Sequence, residues 1–157
     1  MSSSFSKLFA LVIASMLVTG CAPGKRPFMM VEMCLSNEQG VEEFIKELKS
    51  TASAETLDFV DNSSNAQREL KELGYNDGLR PGGGRVIDIR LTRRDGMGIG
   101  AANVGLPGYQ VAMGFSEGSD AGEAKNFANR TLMRFKRHWL VEVVPNGTGA
   151  KPMAGCR

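Results

Sequence analysis

The chain has 157 residues, with 19 basic against 17 acidic side chains and a formal net charge of +2. That length suits a single domain with a hydrophobic core of its own. So balanced a charge argues against a nucleic-acid partner and against strong attraction to anionic lipid.

The N-terminus opens with MSSSFSK, in which Lys7 is the only charged side chain, followed by an uncharged apolar run from Leu8 to about Val18. The run is shorter than the roughly 20 apolar residues of a spanning helix. A charged start, a short apolar run and small residues before a cut mark a secretory signal. The run closes on Leu17–Cys21, LVTGC.

This stretch resembles the lipobox of bacterial lipoproteins, in which a small residue precedes a lipid-accepting cysteine. The resemblance implies that residues 1–20 are a signal peptide and that Cys21 carries the lipid. Ala22, in place of the Asp typical of inner-membrane retention, implies the periplasmic face of the outer membrane. The chain would then meet the membrane through its anchor alone. Residues 21–27, with Pro23 and Pro27, read as a tether, and residues 28–157 as one globular periplasmic domain. With Cys21 used for lipid, Cys34 and Cys156 remain. An oxidising compartment favours a disulfide between them over two separate thiols, and closing so long a loop adds roughly 4–5 kcal/mol in the chain-entropy model.

Phe28 to Leu35 reads as a strand, with Met29, Val31, Met33 and Leu35 on one face and Cys34 on the other. Ser36 and Gln39 have capping-box spacing, and Val41, Phe44, Ile45 and Leu48 form one apolar helical stripe. Leu57–Val60 is a short strand. Ser64 and Gln67 suggest a second cap, for a short helix ending at Leu73 before Gly74. Tyr75 to Arg85 is a loop. Val86 to Arg93 alternates, with Ile87, Ile89 and Leu91 inward, and Asp95-Gly96 signals a hairpin turn. Residues 97–108 are rich in glycine and read as a long hairpin loop. Tyr109–Phe115 alternates again, with Val111, Met113 and Phe115 inward. Asp120 and Glu123 open a last helix whose buried side is Ala124, Phe127, Ala128, Thr131, Leu132 and Phe135, and Trp139–Val144 is the final strand. The expected class is α+β: an antiparallel sheet with two long helices on one face, and a ferredoxin-like β-α-β-β-α-β core.

No catalytic set is recognisable. Gly96, Gly98 and Gly100 lack the strand-before, helix-after context of a phosphate cradle. His138 is the only histidine and has no triad or zinc partners at recognisable spacing; it suits the end of a helix. Met29, Met30 and Met33 read as core filling rather than a soft-metal site. Asp58, Asp61, Asp88 and Asp95 show no acid–base spacing, and Ser63 and Ser116 lack a nucleophile elbow. No enzyme activity, metal or cofactor is expected. The expectation is a binding protein, most concretely an immunity or inhibitor lipoprotein that blocks a periplasm-acting toxin or hydrolase. An accessory lipoprotein of an envelope secretion or assembly complex is the alternative. The candidate partner surface is Asp95 of the turn with Met97, Ile99 and Leu106, apolar side chains on the glycine-rich loop. Arg130, Arg134 and Arg137 form a secondary basic face.

Overall fold

The computed structural model describes residues 26–74 and 84–156. The LVTGC stretch with Cys21 lies outside the described residues, as does most of the loop after Gly74. The architecture is an α+β fold: a six-stranded, wholly antiparallel open sheet with three helices. The strands are β1 (Met29–Cys34), β2 (Asp58–Asp61), β3 (Asp88–Thr92), β4 (Met97–Ala102), β5 (Gln110–Glu117) and β6 (Val141–Val144). The helices are α1 (Glu38–Ala54), α2 (Ser63–Glu72) and α3 (Ala121–Phe135). In the sheet the order is β2-β3-β4-β5-β1-β6. β2 to β5 run as a meander, β1 inserts beside β5, and β6 closes the far margin.

The period-two faces fall where the sequence places them. Val31 and Met33 of β1 and Val111, Met113 and Phe115 of β5 are fully buried under the helices. The six α3 residues expected to be buried are the six that are. Phe44 of α1 meets Phe135 of α3 edge-on, with ring centroids 5.6 Å apart, and Phe115 meets Phe127 at 6.1 Å. These contacts join both long helices to one core.

The helix starts differ in detail. Asn37, not Ser36, caps α1: its side chain accepts from the Gly40 N–H at 2.8 Å. Ser36 sits at φ 68 in the turn before it. The chain enters α1 so tightly that a Cβ on Gly40 would come 1.8 Å from the Leu35 carbonyl oxygen. α2 begins at Ser63, whose N–H donates to Asp61 (3.0 Å), so Ser64 is not its cap. Asp120 does cap α3, accepting from the Glu123 N–H at 2.9 Å.

The largest correction concerns the glycine-rich segment. Met97–Ala102 is not part of a long loop but a central strand, paired with β3 on one side and β5 on the other. Met97 and Ile99 are 1 % and 2 % exposed, and Leu106, in the short connection to β5, is also buried. Their apolar side chains fill the core, and the premise of an exposed apolar loop is removed. Glycine has a steric reason here. A Cβ on Gly98 would lie 1.9 Å from the Leu91 carbonyl oxygen of β3.

The face of the sheet away from the helices is partly covered by the C-terminal segment. Cys156 is disulfide-bonded to Cys34 across 122 residues, with Cα atoms 5.5 Å apart. Beside the bridge, the fully buried Gln110 amide donates to Glu32 (3.0 Å) and to the Lys151 carbonyl, and accepts from the Met153 N–H (2.8 Å). Glu32 also accepts from the Lys151 N–H at 2.9 Å. A buried carboxylate and a buried amide are thereby satisfied by the backbone of the tail they hold.

Candidate functional site

Asp95 stands in the tight β3–β4 turn, where Gly96 takes a φ of 90 and the Arg93 N–H donates to the Met97 carbonyl. Its carboxylate is occupied on both oxygens. Arg93 donates through Nε (2.9 Å) and Nη2 (2.7 Å), the Met97 N–H at 3.2 Å, and Ser119 through its N–H and hydroxyl at 3.3 and 3.0 Å. The same guanidinium reaches Glu123 in the first turn of α3, with Nη2 2.9 Å from Oε2. The Arg93 hydrogen bonds hold the Asp95 carboxyl far below the usual carboxylate range and lower Glu123 as well, while the two carboxylates raise Arg93. A carboxylate so stabilised in its charged form is a poor proton acceptor near neutral pH. The cluster fastens the β3–β4 turn to the start of α3.

Beside this turn lies a cleft of about 480 Å³, lined among others by Arg26, Phe28, Arg94, Asp95, Ser116 and Glu117. Arg26 and Arg94 have no ion-pair partner among the described residues. With the Phe28 ring they offer charge and apolar surface for recognition. The sequence assigned Arg26 to the tether and gave Arg94 no role. Only the pairing of Met29 with Phe115 and of Met97 with Glu117 brings their segments to one end of the sheet.

The expected basic face divides. Arg130 makes a two-pronged bond to Glu55 (3.0 and 2.7 Å), which raises its pKa, and Arg134 donates to Thr51 at 3.3 Å. Both tie α3 to the end of α1. Arg137 is exposed and has no such partner among the described residues. The His138 ring lies 5.3 Å from the Trp139 ring at the end of α3. Met33 is in the core, while Met30 lies on the opposite face of β1.

A second concavity, about 350 Å³, lies between α3 and β6. It is lined by Phe28, Met29, Lys125, Asn129, Val143 and Val144, with Asn146 at its rim. Nearby are three of the six large apolar side chains exposed among the described residues: Met133 (62 %), Leu140 (67 %) and Val143 (58 %). No family model and no curated protein sequence matches the chain.

Proposed function

We propose that this chain is a lipid-anchored periplasmic binding protein without catalytic activity. In its most concrete form it is an immunity or inhibitor lipoprotein that blocks a toxin or hydrolase reaching the periplasm. Cys21 carries the lipid, and the domain stands on the periplasmic face of the outer membrane. The observation that carries the reading is the Cys34–Cys156 bridge. It belongs to an oxidising compartment, the same compartment the lipobox resemblance implies from separate residues. The Asp95 carboxylate supports binding over acid–base chemistry, because both its oxygens are committed within the fold. We also read β6-β1-β5-β4 with α1 and α3 as a ferredoxin-like core, widened by β2, α2 and β3. Its support is the strand order and the shared helix core.

Anchoring gives the domain a direction. Residues 21–26 reach at most about 18 Å, so the sheet end with Arg26, Asp95 and the start of α3 faces the bilayer. The opposite end, with the Cys34–Cys156 bridge, faces the periplasm. A partner then engages that far end or a side of the sheet. The free margin at β6 favours a second reading, an accessory subunit of an envelope complex. Labelling cells with a palmitate analogue tests the anchor. The wild-type chain takes up label and fractionates with outer membrane, and Cys21→Ser abolishes both; an unlabelled wild-type chain overturns it. Capture on the full chain tests the role. One soluble enzyme or toxin that loses activity when bound supports inhibition, membrane-complex subunits support the second reading, and an empty column opposes both.

A further inference from the structure

We propose that the outer edge of β6, with the groove against α3, is a docking site for an extended, acidic and apolar segment of a partner protein, added to the sheet as a seventh strand; the inference rests on the binding role proposed above. β6 pairs only with β1 and ends the sheet. In such a strand every second residue turns its N–H and C=O away from its one neighbour, and no backbone partner meets the outer side of Val141–Val144 among the described residues. An added strand supplies those partners directly.

The side chains around the edge define what fits. Val143 is more than half exposed, Leu140 precedes the strand with 67 % exposure, and Phe28 and Met29 are only partly buried at the groove. They offer apolar contact to alternate residues of an incoming strand. The groove's lining carries one cation, Lys125, and no carboxylate. Lys125, Asn129 and Met133 follow i, i+4, i+8 along α3 and share a face. Lys125 has no ion-pair partner among the described residues, and the Asn129 and Asn146 amides have no hydrogen-bond partner there. Val143 and Lys125 lie on the same, α3-side face of the margin, whereas Glu142 is on the other face beside Glu32. An added strand therefore meets the valine and the ammonium with an apolar and an acidic residue two positions apart, and the residues between them, which flank Glu142, are neutral. A second copy fits worse, because its own β6 brings only valines to the α3 face, its Glu142 lying on the other, and so leaves Lys125 unmatched.

The test uses the full isotope-labelled chain in detergent, titrated with a short capped peptide in which valine and glutamate take turns at every second position with threonine between them, and followed by amide NMR shifts. A matched valine–lysine peptide is the control. The acidic peptide is expected to shift the amides of β6 and α3 residues near Lys125. Lys125→Glu is expected to weaken it about two- to fivefold, the effect of one exposed ion pair, and to improve binding of the lysine peptide. Val143→Asp is expected to weaken the acidic peptide about tenfold, the loss of one buried valine contact. Both substitutions fall on exposed side chains, and an unchanged spectrum away from β6 verifies folding. No binding, equal binding of both peptides, shifts confined to the Arg26–Arg94 cleft, or peptide-free dimers through β6 would each overturn the proposal. The titration reads the edge alone: its failure leaves a binding role at the far end standing, whereas an empty capture column strikes at the binding role itself.

Discussion

The two margins of the sheet are built differently. β2, at one side, carries Asp58 and Asp61 on its four residues, and Asp61 lies 3.6 Å from Arg85. α1 leans over it, with the Lys49 ammonium 5.5 Å from the centre of the Phe59 ring. Charge at a margin and a helix across it discourage another strand from adding. β6, at the other side, reads Val-Glu-Val-Val, and next to it α3 leaves a groove instead of a cover. Both margins leave outer backbone groups unpaired and both carry acid, Glu142 on β6 included; what separates them is the helix leaning over β2 and the groove beside β6. The grooved side is also where the α3–β6 connection exposes Leu140.

Four perturbations sharpen or break this contrast. The largest expected effect is at the disulfide. Cys34→Ser with Cys156→Ser lowers stability by about 2–5 kcal/mol, read by denaturant unfolding. In hydrogen exchange, protection falls first at β1 and β6 under the C-terminal segment, and β2–β3 keeps more of its own. Uniform loss would show that the two sides do not open separately.

Next is Gly98→Ala. It forces a methyl group against the Leu91 carbonyl and lowers stability by about 1–3 kcal/mol, the usual effect of overpacking. The β2–β3 side should lose protection first, in mirror image to the cysteine variant. A neutral Tm would show that β3 and β4 can move apart at no cost.

Acid titration comes third. Asp95 and Glu123 have lowered pKa values in the folded chain, because Arg93 bonds their charged forms. Their unfolded values lie near 4. Their stabilisation is therefore complete above that pH and is lost as the pH falls through the lower folded values. Arg93→Ala should flatten the fall of Tm below about pH 4. An unchanged acid limb would mean the cluster does not couple the β3–β4 turn to α3.

The smallest stability effects belong to the exposed valines. Val60→Asp on β2 and Val143→Asp on β6 should each change stability by no more than about 0.5 kcal/mol. Only the second should alter binding of the acidic peptide. Equal effects on binding would erase the distinction between the margins.

Much of the fold was legible because its strongest signals are local. The apolar stripe of α1, the six buried residues of α3 and the alternation in β1, β3 and β5 are written at short spacing. β4 was missed although it also alternates. Met97, Ile99 and Ala101 share the core face, and Gly98, buried, and Gly100, exposed, lie on the other, but glycine is depleted in strands and suggested a loop. What justifies Gly98 is the β3 backbone pressed against it, a contact invisible in one dimension. The Asn37 cap was passed over for its neighbour Ser36, because both residue types cap well. The candidate site was less legible. Asp95 was singled out, but its bonds to Ser119 and its link through Arg93 to Glu123 cross between elements. Trp139–Val144 was read as a strand, of which Val141–Val144 forms one, but its place at the margin depends on β1 inserting beside β5, which no local pattern encodes.

The most direct test of a grooved β6 margin against a helix-shielded β2 margin is photo-crosslinking in living cells. A benzophenone side chain is placed at position 143 or, as its control, at position 60 of the full chain; both native residues are valines more than half exposed. The account predicts a discrete adduct with one envelope or secreted protein from position 143 and none from position 60. Adducts from position 60 alone, or the same adduct from both, would contradict it.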